Sequence, residues 1–156
     1  MWQTLNGEII HSEIKNEVED ILTQEKSLGN NIRVCIGTDS QAHKNYVDFA
    51  TVIVFVRAKR GGFMLIDKDR VYERMTVKER MIREVAKSVE IAYSLCNVLD
   101  RHQVGLEVHA DINTNPRFKS HKALSEAMGY IKSMGYEFKA KPDAFASSSC
   151  ADRFVN

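Results

Sequence analysis

The sequence predicts an α/β protein built on one mixed five-stranded sheet, strand order 3-2-1-4-5, flanked by helices and preceded by an extra helix. Three observations carry this prediction. Three β-rich runs, residues 32–39, 46–57 and 63–71, are joined by connections too short for a crossover, so they form an antiparallel meander. After them a long helical pattern, a strand, a second helical pattern, a short strand and a final helical piece follow in turn. Right-handed crossovers then set the fourth strand beside the first and parallel to it, on the side away from the hairpin.

At 156 residues the chain is of ordinary single-domain size, read as one domain over 1–156 with residues 1–31 as a helical extension. Lys and Arg number 22 against 21 for Asp and Glu, so the net charge of +1 gives no long-range attraction to a polyanion. Any nucleic-acid contact must come from local patches. The longest apolar run, near residues 50–56, is far short of a membrane span, and the start has no basic segment followed by an apolar one. The expectation is a soluble, cytoplasmic protein with no membrane partner. Cys35, Cys96 and Cys150 are widely spaced, outside paired metal spacing, and read as reduced thiols.

In residues 12–26, Ile14, Val18, Ile21 and Leu22 recur at helical spacing, and Ser12 is the expected amino-terminal cap. Gly29, Asn30 and Asn31 end that helix. Residues 32–41, IRVCIGTDSQ, read as an interior strand that stops at Asp39. A carboxylate at a strand's carboxyl end is where open α/β sheets place ligand chemistry, and Gly37 admits a close backbone or ligand. The plainer reading is that Asp39 starts a turn with Ser40. Residues 46–57 are β-branched and aromatic, Lys59-Arg60-Gly61-Gly62 suits a reversal, and residues 63–71 return as the third strand.

Thr76-Val77-Lys78-Glu79 has the form of a capping box at the head of the longest helix, whose apolar stripe runs through Val77, Met81, Val85, Val89, Ala92 and Cys96. At about 100° per residue, Glu79 and Glu90 fall opposite that stripe and Glu84 at its edge, facing inward. A boundary salt bridge is the structural alternative for Glu84. Residues 104–111, VGLEVHAD, alternate, with Leu106, Val108 and Ala110 on one side and His109 and Asp111 on the other. Asn115 and Pro116, or Ser120, open a helix buried through Leu124, Met128, Ile131 and Met134 and closed by Gly135. Tyr136, Phe138 and Ala140 form the last strand, Lys141-Pro142-Asp143 turns, and a helical piece carries Asp152.

Strands one and four diverge to opposite sides of the sheet, so the gap between them is a topological switch point with Asp39 and Asp111 at its tips. Clustered carboxylates repel unless a cation sits among them, and oxygen donors suit Mg²⁺ or Mn²⁺ better than zinc. Such ions activate water and stabilise both oxygens of an in-line displacement at phosphorus, which favours phosphodiester hydrolysis. The layout and the motifs GTDSQ, RMIREV, HADIN and KPDAFASSSCADRF resemble the ribonuclease H-like superfamily, and within it the bacterial YkuK-type family of predicted nucleases. The resemblance covers residues 32–154. It implies a metal-dependent nuclease acting on RNA, RNA/DNA hybrid or structured DNA, with an acidic cluster at Asp39, Glu84, Asp111 and Asp152. Ser149-x-x-Asp152 has equally the form of a capping box, and Asp143 is an alternative fourth carboxylate.

Auxiliary roles are open to His109, Asn113 and Lys141, and less so to His43, His121, Asn115, Arg57, Lys59 and Arg60, each of which has an ordinary surface or turn role. Two other readings compete: a non-catalytic nucleic-acid-binding or scaffold module of the same fold, and a metal-dependent phosphatase with an aspartate nucleophile. In the haloacid dehalogenase-like phosphatases a second aspartate stands two residues on, where this chain has Gln41. A zinc hydrolase built on His109-x-Asp111 lacks a histidine-rich partner motif.

Overall fold

The computed structural model describes residues 1–110, 121–140 and 143–155. Strand β1 (Trp2–Thr4) comes first, followed by helix α1 (Ile14–Ser27), which buries Val18 and Leu22 as its spacing predicted. Ser12 is not its cap. Glu13 takes that position without a side-chain bond, and Ser12, one residue too far out, donates its hydroxyl to the Glu17 carboxylate at 3.2 Å.

The meander forms as predicted from β2 (Ile32–Ala42), β3 (Val47–Arg57) and β4 (Gly62–Val71), all antiparallel. At Gly62 the chain passes so close to its partner that a Cβ would stand 2.5 Å from the Phe55 carbonyl oxygen, so the reversal needs glycine there. Helix α2 (Val77–Arg101) carries the predicted capping box: Thr76 Oγ1 accepts from the Glu79 amide at 3.1 Å, and the Glu79 carboxylate accepts from the Thr76 amide at 2.9 Å. Strand β5 (Gly105–His109) lies parallel to β2, helix α3 (Lys122–Ser133) follows with His121 as its cap, and β6 (Glu137–Lys139) pairs parallel with β5. The expected openings of α3 at Asn115 and Pro116, or at Ser120, lie outside the described residues.

The sheet has six strands in the order β1-β4-β3-β2-β5-β6. Five reproduce the predicted 3-2-1-4-5 order. The sixth, β1, pairs antiparallel with β4 on the hairpin edge, and its three residues are too few to show an alternation. On one face α2 packs Val85, Val89, Leu95 and Leu99 against Val34, Ile36, Ile53 and Phe55. At roughly 1.5–3 kcal/mol for each such side chain, this burial sets the rotational phase of α2. The other face is covered by a π-helical turn (Ala146–Ala151) and a 3-10 turn (Asp152–Phe154), which seat Ala146, Ala151 and Phe154 on Cys35, Val52, Val54 and Ile66.

One expectation about β2 needs correcting. The strand does not stop at Asp39 but runs on to Ala42, because β3 keeps pairing with it as far as Ala42 opposite Val47. The parallel partner stops sooner, with His109 opposite Gly37. Asp39 therefore stands just past the end of the parallel ladder, not at a strand tip.

Candidate active site

Where β5 ends and β2 continues, a crevice of about 230 Å³ opens between the sheet and the amino-terminal turns of α2. Asp39, Ser40, Arg80, Glu84 and His109 line it, with Ala144 from the carboxyl-terminal segment. A buried hydroxyl chain aligns its two walls: Thr38 Oγ1 lies 2.7 Å from Ser88 Oγ on α2 and 3.0 Å from Thr51 Oγ1 on β3. Ser88 fixed in this way places Glu84, one helical turn earlier, against the next residues of β2. Ser40 then donates its hydroxyl to Glu84 Oε1 at 3.3 Å, and the Ser40 amide donates to Asp39 Oδ1 at 2.9 Å.

The electrostatics follow from that placement. Burial pushes the Glu84 carboxyl up to about 7, and the negative charge of Asp39 adds to the shift, while the Ser40 hydrogen bond and Arg80 oppose it. Glu84 is thus only partly ionised at neutral pH. The donors gathered here are carboxylate and hydroxyl oxygens, which fit Mg²⁺ or Mn²⁺, and a divalent cation would remove the repulsion between the two carboxylates.

His109 offers such an ion little. Its Nδ1 accepts from the Ala146 amide at 3.0 Å, so the hydrogen sits on Nε2, which faces Glu107 Oε1 at 3.3 Å. The imidazole therefore clamps the carboxyl-terminal segment to β5. Behind it lies a buried cluster that the sequence reading overlooked. Glu107 is paired with Arg33 and, at 3.2 Å, with Lys139. Ligand atoms of Cys35, Glu107 and His109 lie within 4.8 Å of one another. These residues do not fit a metal: two cations already hold the carboxylate, both histidine nitrogens are engaged, and burial pushes the Cys35 thiol up to about 12. The signal was in VGLEVHAD, where Glu107 shares its face with His109.

Of the residues singled out in the sequence, Asp39, Glu84 and His109 line one crevice. Glu79 is held in the capping box and Glu90 is exposed, as the helical phase predicted. Asp143 is exposed and Asp152 half-buried in the 3-10 turn, and neither lines the crevice. Asp111, Asn113, Asn115 and Lys141 lie outside the described residues. His43 faces Asp48 at 3.4 Å, His121 Nδ1 caps α3, Arg57 pairs with Glu25, Arg60 donates to Asn30, and Lys59 is exposed in the hairpin turn.

Compared with known proteins, residues 13–156 match the model of the ribonuclease H-like family. The uncharacterized protein YkuK of Bacillus subtilis (strain 168) is 31% identical over 137 aligned residues, covering 77% of each chain. Among solved structures, the N-terminal RNase H domain of Rv2228c from Mycobacterium tuberculosis aligns at 13% identity and a TM-score of 0.43, covering 81% of this chain and 92% of that one. RNase H1 of Halobacterium salinarum NRC-1 aligns at 11% identity and a TM-score of 0.36, covering 78% of this chain and 96% of the other. Among the described residues, no helix is long and apolar enough to cross a membrane.

Proposed function

Because this chain belongs to the ribonuclease H-like family, whose fold supports nuclease-type or nucleic-acid-binding functions, we propose that it is a divalent-metal-dependent nuclease. In this reading it hydrolyses phosphodiester bonds of RNA, RNA/DNA hybrid or structured DNA by a two-metal mechanism, and it works in the cytoplasm. The observation that carries the proposal is the convergence of Asp39 and Glu84 on one crevice, where packing holds two carboxylates together although their charges repel.

Asp39 and Glu84 would hold Mg²⁺ or Mn²⁺, with Asp111 as a third carboxylate; the fourth expected from the sequence, Asp152 or Asp143, would have to approach from outside the crevice lining. Bound there, the metal would supply activation of the attacking water and neutralisation of charge at the reacting phosphorus. Ser40 orients the Glu84 carboxylate through its hydroxyl. Arg80, on the crevice wall, offers a guanidinium to a substrate phosphate. His109 has both nitrogens engaged, so its part is to position the Ala144 side of the crevice and not to carry protons.

One observation favours a second reading. Asp152 stands away from the crevice lining, and a cluster short of one carboxylate suits a non-catalytic module that binds nucleic acid. Hydrolysis of labelled RNA, hybrid and branched DNA in Mg²⁺ or Mn²⁺, against chelator, separates the two. Wild type should cleave at least one of these substrates, chelator should abolish cleavage, and Asp39→Asn should lower it by roughly 10³-fold or more with the fold intact. If nothing is cleaved and no metal stabilises the protein, the module reading replaces the nuclease; cleavage indifferent to Asp39→Asn would come from a contaminant.

A further inference from the structure

Strands β2, β3 and β4 end together, with Ala42 opposite Val47 and Val47 opposite Val71, and just beyond that last row stands an ordered aromatic cluster. The Tyr46 ring lies between the His43 ring, 4.5 Å away and stacked, and the Arg70 guanidinium, 4.0 Å from its centroid. Arg70 is held from below by two bonds to Asp48, at 2.7 and 3.1 Å. Tyr72 stands 6.1 Å from Tyr46, with a tilt of 58° between the rings, and is 75% exposed. A single exposed aromatic is unremarkable, but this one is the open side of an arrangement already fixed by cation–π and ionic contacts.

The charge around it is lopsided. Asp48, Asp69 and Glu73 are each matched by an arginine or lysine, and Glu79 is engaged in the capping box. Lys44, Arg74 and Lys78 make no ion pair among the described residues, so the patch carries surplus positive charge despite the near-neutral chain. Along the chain the patch adjoins the crevice. Residues 73–76 are all that separate Tyr72 from the first residue of α2, whose opening turns form the crevice wall. From Asp39 along β2 to His43 just past its end, four residue steps span about 13 Å, a reach of a few nucleotides.

We propose that Tyr72, held beside the Tyr46–Arg70 stack, forms a stacking platform that docks a single-stranded stretch of nucleic acid and leads it into the crevice. Exposed rings stack on unpaired bases of any sequence, while surplus lysine and arginine track the backbone; in a duplex the base faces are already occupied. The proposal rests on the nucleic-acid reading above but not on catalysis, so it is tested by binding.

Fluorescence anisotropy of short labelled single strands and of the matching duplex, measured in chelator so that nothing is cut, provides the test. Wild type should bind single-stranded RNA or DNA more tightly than duplex. Tyr72→Ala should weaken single-strand binding about 5- to 100-fold, and Tyr72→Phe should retain most of it. Tyr72 is exposed, so an unchanged melting temperature will show that the fold is intact. Unchanged affinity of Tyr72→Ala, equal affinity for duplex, or no binding at all would overturn the platform. Cleavage without ring dependence would leave the nuclease reading standing and remove the platform; ring-dependent binding without cleavage would do the reverse.

Discussion

Two partly or fully buried glutamates, Glu107 on β5 and Glu84 on α2, meet opposite treatment. Burial pushes Glu107 up, but hydrogen bonds from Lys139 and His109, together with the charge of Arg33, outweigh it and hold the carboxyl below its ordinary range. Glu84 is given a serine hydroxyl, a more distant arginine and a second carboxylate, and it ends at about 7. The first arrangement is finished as it stands. Among the described residues, the second has only Arg80 to offset the charge of Asp39, as the proposed cation site would require.

Breaking the comparison from the catalytic side should give the largest effect. Glu84→Gln keeps the size of the side chain and its acceptor for Ser40 but removes the charge, and metal-dependent cleavage should fall by roughly 10³-fold in a single-turnover assay. Glu107→Gln should leave Arg33 and Lys139 without their counter-charge and cost about 2–3 kcal/mol in urea unfolding. That is less than for a wholly buried pair, because Arg33 is 47% exposed and Lys139 37%.

Stability against pH gives the next effect, with the opposite sign. Since the fold raises Glu84 above its ordinary 4.5, the protonated form is the favoured one: its contribution is whole below pH 4.5, is lost as pH rises, and is gone above about 7. Glu84→Gln should therefore stabilise the metal-free protein at pH 8, by on the order of 3 kcal/mol, and do nothing at pH 4. A variant that is destabilised at pH 8 would mean that Glu84 is paired as securely as Glu107. Mg²⁺ or Mn²⁺ should act on the same term: at about 100 times its Kd it should add about 2.7 kcal/mol to wild type, read as a rise in Tm, and far less to Asp39→Asn. Smallest, Ser88→Ala removes one link of the hydroxyl chain that aligns the crevice walls, at about 1 kcal/mol, and should lower cleavage only modestly.

What could be read from the sequence follows the range of the forces involved. The α2 phase was legible because 25 residues repeat one stripe, and it separated Glu84 from Glu79 correctly. The meander and the parallel placement of β5 followed from connection lengths and crossover handedness. Asp39 was singled out, but its setting was misread: whether β2 stops there depends on how far β3 keeps pairing, which no local pattern states. Glu107 was missed because the second face of β5 looks solvent-facing until the carboxyl-terminal segment folds over it, and Arg33 lies 74 residues away in sequence. The Ser12 cap failed by one residue, the margin at which helix ends are ordinarily read.

Strand β1 is only three residues long, yet it changes what the sheet presents to other molecules. Pairing Trp2, Gln3 and Thr4 with Asp67, Ile66 and Leu65, it covers the middle of the hairpin edge, and the terminal ammonium closes on Asp67 at 2.7 Å. Without it, the outward-facing amides and carbonyls of β4, those not bonded to β3, would be open along the whole strand, the template on which strands of other copies add. Those three residues shield part of that edge, and trimming them should increase self-association with rising concentration, read by light scattering.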